Sequence, residues 1–298
     1  MAGSMTTRRG VLAGGGAMLA AGAAGLSASA APSRDAAPGS DPRFHLGLVT
    51  YNVAKDWDFA TLLKILPEAG AAAVELRTTH AHGIEPSLSA SQRAEVRQRA
   101  ADAGLTIVSL GSVCEFHSAD PAVVRENIAT CRQFVDLARD IGAQGVKVRP
   151  NGFPDGVDPE KTLAQIGAAL RECGSYAADH GVEIWLEVHG RGTQEPENIR
   201  KIMEQCIHPA VGANWNSNPT DVKEGSVRQA FAMLRPYLKS CHINELWGSY
   251  PYREFSRLLR EANYDRYTLC EVGTPVKAED GLLFLRCYRG LWRELARG

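Results

Sequence analysis

The chain has 298 residues, 44% of them hydrophobic and 22% charged, with 29 glycines and 15 prolines. Such a composition supports one large core or two small ones and excludes disorder over most of the length. With 33 cationic side chains against 34 acidic ones the formal charge is −1, and the lack of basic runs argues against a duplex-binding surface, so no nucleic-acid partner is expected.

The amino terminus reads as an address. Arg8 and Arg9 precede an uncharged stretch from Gly10 to Ser33, and Ala28-Ser29-Ala30 offers a small-residue cleavage site. This pattern predicts a signal peptide over residues 1–30, and the paired arginines point to twin-arginine export to the periplasm or cell exterior. Gly and Ala make the stretch a poor lipid span, so no stable membrane span is expected after cleavage. Residues 31–42 read as a flexible linker, and one barrel domain is expected over 43–298. Seven cysteines follow, an odd number with no C-x-x-C spacing, which predicts buried free thiols instead of a disulfide framework.

Short β-branched or apolar runs then recur at His45–Asn52, Ala73–Thr78, Leu105–Gly111, Gly145–Pro150, Val182–His189, Ala210–Asn216, Lys239–Asn244 and Tyr267–Gly273. Amphipathic stretches with helical period lie between them. Ser89-x-x-Gln92, Asp120-Pro121 and Asp158-Pro159 mark helix starts, and Gly70, Gly104, Gly142 and Gly181 mark helix ends. Eight βα units predict a (β/α)₈ TIM barrel. An open doubly wound sheet is the runner-up, but it lacks a Gly-rich phosphate loop in the mature chain.

Chemistry in such a barrel collects at the C-terminal ends of the strands. On the fifth strand Glu187 and His189 share a face. The sixth ends Asn214-Trp215-Asn216, the seventh Cys241-His242-Ile243-Asn244, and the eighth carries Glu271. Two carboxylates, an imidazole and an amide oxygen from successive strands form a mixed O/N set suited to one divalent ion such as Mn, Zn, Mg or Co.

Carried by these strand ends, the chain over residues 43–296 resembles the xylose-isomerase-like sugar isomerase and epimerase barrels, a family that also includes apurinic endonucleases. Members typically bind one divalent metal through Glu, Asp, His and Glu at the ends of strands five to eight. The resemblance thus implies metal ligation by Glu187, Asn216, His242 and Glu271, with Glu187 and Glu271 as the catalytic proton-transfer pair on opposite faces of a sugar. Asn216 departs from the usual Asp; a neutral amide removes one negative charge, weakens the hold on a cation and puts metal occupancy in question. The additional His and Asp ligands of the endonucleases are missing, which argues against DNA repair.

Other strand ends carry candidates for binding a small carbohydrate. Lys147 and Arg149 share an inward face of the fourth strand, where they could steady an enediolate or pair with Glu75 or Glu187. Glu75, Arg77 and Thr79 share parity on the second. His80 and His82 follow it in a loop, more plausibly closing the rim or meeting substrate hydroxyls than holding metal. Cys114-Glu115-Phe116-His117 reads as a covering loop. Tyr51 and Asn52 after the first strand and Trp247 after the seventh are candidate ring contacts, while Trp185 is assigned outward, to packing. The sequence therefore predicts an exported, metal-assisted enzyme moving a proton α to a carbonyl. A 3-keto-glycoside lyase working by β-elimination and a non-catalytic carbohydrate-binding barrel are the alternatives; the oligomeric state is left open.

Overall fold

The structure, a computed structural model, describes residues 41–297. The predicted signal peptide at 1–30 and residues 31–40 of the linker lie outside the described residues. From there the chain alternates strand and helix. The order is β1 (His45–Val49), α1 (Phe59–Ala69), β2 (Ala73–Arg77), α2 (Ala90–Asp102), β3 (Thr106–Glu115), α3 (Pro121–Ile141), β4 (Gly145–Arg149) and α4 (Pro159–Asp179). It continues through β5 (Glu183–Glu187), α5 (Pro196–Cys206), β6 (Val211–Asn216), α6 (Arg228–Leu234), β7 (Leu238–Ile243), α7 (Tyr252–Glu261), β8 (Tyr267–Cys270) and α8 (Ala278–Arg297), with 3₁₀ turns at Pro219–Asp221 and Arg235–Tyr237. Each strand pairs in parallel with the next, and β8 returns to β1, closing the TIM barrel.

Local chemistry sets these boundaries. Ser89 and Gln92 form the reciprocal capping box that opens α2. Asp120 and Asp158 accept from the first-turn amides of α3 and α4, each with proline inside the first turn. Gly142 closes α3 at φ 80°, where a side chain would be strained. Several edges differ from the sequence reading, among them β1, which ends at Val49 and leaves Tyr51 and Asn52 in the following turn. β3 continues past Gly111 to Glu115, so Cys114 and Glu115 belong to a strand and not to a loop. β5 stops at Glu187 and β8 at Cys270, leaving His189 and Glu271 just beyond the ladder.

Outward-facing strand residues such as Leu48, Leu76, Val148 and Leu186 are fully buried against the helices, each contributing roughly 1.5–3 kcal/mol by leaving water. The inward face is different. Trp185 lies inside the barrel with Ala73 and Val108, correcting its outward assignment. Residues two apart on a strand face the same side, so Trp185 has to share the side of Glu187. A Cβ on Gly145 would stand 2.5 Å from the indole, so that glycine makes the room. The indole Nε1 donates to Glu183 at 2.8 Å, Lys239 bonds the other Glu183 oxygen at 2.8 Å, and Arg266 lies over the ring at 5.3 Å. Together they floor the barrel beneath the site. All seven cysteines are free thiols, six of them buried, and no helix among the described residues is long and apolar enough to cross a membrane.

Candidate active site

Four consecutive strands bring their ends to one point. Pairing sets Glu187 beside Asn214 and Asn216 beside His242, while the Glu271 amide donates to Ile243 O at 2.9 Å. One ligand atom each from Glu187, His242 and Glu271 fall within 4.8 Å of one another. His242 Nδ1 stands 3.2 Å from Glu271 Oε2 and 3.6 Å from Glu187 Oε1. Asn216 Nδ2 donates to Glu187 Oε1 at 3.3 Å, so the four residues of the implied ligand set are assembled.

Two neighbours complete this group. Lys147 Nζ donates to Glu187 Oε2 at 2.7 Å, both side chains nearly inaccessible. Glu75 on β2, completely buried, places Oε1 at 3.4 Å from His242 Nε2 and accepts from Ser109 Oγ at 2.7 Å. A Cβ on Gly111 would stand 2.9 Å from that Glu75 oxygen, so a glycine there leaves the carboxylate its space. Sequence reasoning weighed Glu75 only as an ion-pair partner. A lone carboxylate in the apolar run Ala73-Val74-Glu75-Leu76 was the available signal, because such a group requires a buried partner.

Charge follows geometry. Burial alone would raise Glu187, but Lys147, His242 and His189 outweigh it and hold its carboxyl well below the ordinary range. Burial is likewise outweighed at Glu75, which His242 and Lys147 hold low. Burial would lower His242, yet Glu271, Glu75 and Glu187 around it push the imidazole well above its ordinary value. Three carboxylates thus converge on one imidazole, an arrangement that favours positive charge. Buried His242 Nδ1 and Asn216 Oδ1 have no hydrogen-bond partner. Once the imidazole gives up its proton, Nδ1 and the Asn216 oxygen beside two carboxylates offer the O/N set that a divalent ion accepts.

Above lies a cavity of about 210 Å³ whose wall includes Glu187, Asn216, Glu271, Lys147, Arg149, His189, Tyr51, Arg77 and Glu245. Arg149 pairs with Glu115, which Asn151 also bonds at 2.8 Å, and with neither Glu75 nor Glu187. Glu115 and Glu245 were not singled out as site residues from the sequence; Glu245 accepts from the Gly273 amide at 2.9 Å. His80, His82, Asn52 and Trp247 are not among the residues that line this cavity. His82 uses both ring nitrogens inside its own loop, one with Arg77 O at 2.8 Å and one with the Ile84 amide at 3.0 Å. His80 turns to Thr50 Oγ1 at 3.1 Å, and burial with Arg77 nearby lowers its pKa to about 4. Asn52 occupies a left-handed turn at φ 51°. Trp247, 59% exposed, meets Tyr288 edge-on at 6.4 Å.

The sequence profile of the xylose isomerase-like TIM barrel family matches residues 63–288, and the chain belongs to that family. Among solved structures, a D-psicose 3-epimerase determined in the presence of D-fructose is 16% identical at a TM-score of 0.72, covering 86% of this chain and 100% of that one. The IolI protein with a bound zinc atom is 16% identical at 0.71, covering 85% and 98%. A 3-keto-D-glucoside 4-epimerase from E. coli, in its apo form, is 16% identical at 0.66, covering 82% and 99%. A 3-dehydroshikimate dehydratase of Pseudomonas putida is 26% identical over 125 residues, which is 41% of this chain. The matched region spans only 19% of that dehydratase's length.

Proposed function

We propose that this chain is an exported sugar isomerase or epimerase that moves a proton at a carbon α to a carbonyl, with one divalent ion, Mn, Zn, Mg or Co, held by Glu187, Asn216, His242 and Glu271. The observation that carries the reading is the convergence of Glu187, His242 and Glu271 within 4.8 Å at the barrel mouth. Epimerase neighbours and a zinc-bound neighbour in the same fold support it.

When bound, the ion supplies a Lewis acid for the substrate's carbonyl and hydroxyl oxygens. The protein's own groups do the rest. Glu187, kept ionised by Lys147, accepts the α proton, and Glu271 returns one on the other face. Lys147 and Arg149 line the same cavity and favour the negative charge that develops on oxygen between the two transfers. His189, with a buried Nδ1 lacking a partner, is positioned to bond a substrate hydroxyl.

The dehydratase relative favours a second reading, β-elimination. The first proton abstraction is the same, but the electron pair then expels a group at the β carbon. Elemental analysis of the protein from the exported fraction, repeated on Glu187→Gln and Glu271→Gln, tests the ligand set. Loss of bound ion in either variant is expected; unchanged occupancy overturns the assignment. Solvent deuterium entering a keto-sugar carbon identifies a catalyst, whereas sugar binding without exchange identifies a carbohydrate-binding barrel.

A further inference from the structure

Among the described residues, Arg77 is the Lys or Arg side chain lining the cavity that has no ion-pair partner. It follows Glu75 by two residues on β2, so it points the same way, one step nearer the mouth. Its guanidinium carries five N–H donors, of which Nη1 bonds Thr78 O at 2.9 Å. Tyr51 flanks it, with Cζ 5.9 Å from the ring centroid. Among the described residues no carboxylate lies at ion-pair distance from it, whereas Lys147 is matched by Glu187 and Arg149 by Glu115. Burial and then Arg149 lower its pKa, while Glu187 and Glu75, near but not paired with it, act the other way. Gly111 adds no Cβ beside the Arg77 stem, where one would approach Cδ to 3.3 Å.

We propose that Arg77 binds a carboxylate on the substrate, so that the site takes an acidic sugar in preference to a neutral one. The proposal rests on the proton-transfer reading of the same site and deepens it. A guanidinium fork matches a carboxylate in two parallel hydrogen bonds. One cation without an ion-pair partner matches a monoanion; a phosphate dianion would call for a second.

The test uses three ketohexoses matched except at carbon 6, namely D-fructose, D-fructuronate and D-fructose 6-phosphate. Binding by calorimetry and solvent-deuterium exchange are measured for the full chain and for Arg77→Gln and Arg77→Lys, with thermal melts reporting folding. The expected result is D-fructuronate bound about tenfold or more tightly than D-fructose, the scale of one sheltered charged hydrogen-bond pair. Arg77→Gln is expected to abolish that preference and Arg77→Lys to keep part of it. Arg77-dependent binding of the uronate without exchange upholds the carboxylate subsite while overturning the proton-transfer reading. Equal or better binding of fructose, a preference for the phosphate, a preference that survives Arg77→Gln, or no binding of the uronate at millimolar concentration each overturns the proposal.

Discussion

Lys147→Met isolates the ion pair at the centre of the site. The Lys147 Nζ to Glu187 Oε2 distance is 2.7 Å, and each side chain is only 4% exposed. At that separation, with an effective dielectric of about 20, the attraction is roughly 6 kcal/mol. Desolvation of both ions offsets much of it, and removing one partner of such a pair costs about 3–5 kcal/mol because the other is left buried and charged. Asn216 and His242 remain beside Glu187, so a loss near the lower end, about 3 kcal/mol, is expected. Methionine keeps the apolar length of the stem, which separates charge from volume. Urea unfolding in the presence of a chelator measures the loss, and excess Mn²⁺ should narrow it by giving Glu187 a new counter-charge. The double variant Lys147→Met/Glu187→Gln should recover most of the stability, since an amide needs no cation. A Lys147→Met protein within 1 kcal/mol of the parent in chelator would refute this account, as would a double variant no more stable than the single one.

Glu75→Gln removes the carboxylate behind His242 while preserving its shape. A carboxylate behind a ligating imidazole fixes the ring and raises its basicity, so metal affinity is expected to fall about 10–100-fold. Calorimetric titration with Mn²⁺ or Zn²⁺ measures this, and unchanged affinity would contradict the role. Asp221 gives a pH signature away from the ligands. Its Oδ2 accepts from the Asn218 amide at 2.8 Å and from Tyr250 at 3.0 Å, but burial raises its pKa from 3.8 to about 7. The folded state therefore keeps a proton that the unfolded chain has lost, and this contribution to stability declines as pH rises from about 4 to about 7. Asp221→Asn should flatten that slope, gaining about 2–3 kcal/mol relative to the parent between pH 5 and pH 7. Parallel slopes in chemical denaturation across that range would exclude it.

The parts legible from sequence are those that the period of a strand fixes. Alternation along β5 to β8 sends polar side chains of one parity to a common rim, because the backbone ladder leaves each side chain only two directions, and the family resemblance then selects Glu187, Asn216, His242 and Glu271 among them. The same rule, applied to the end of β5, already places Trp185 inside with Glu187; the outward assignment failed by departing from it. The loops offer no such constraint. His80-x-His82 looks like a ligand pair, yet one ring is used up by Arg77 O and the Ile84 amide and the other leans on Thr50. Those contacts arise only once the β2–α2 loop is folded over β1. Glu75 was hidden for a third reason: its direction was readable, but its partner lies on β7, across the barrel interior, and only closure of the sheet brings the two within 3.4 Å. Closure also explains why the site tolerates so many buried charges. Each carboxylate that one strand points inward meets a cation supplied by another, Glu183 with Lys239 and Arg266 at the floor and Glu187 with Lys147 above. Among the described residues, Arg77 alone of the cavity's Lys and Arg side chains departs from that matching, having no carboxylate at ion-pair distance, and it lies on the cavity wall one step beyond Glu75.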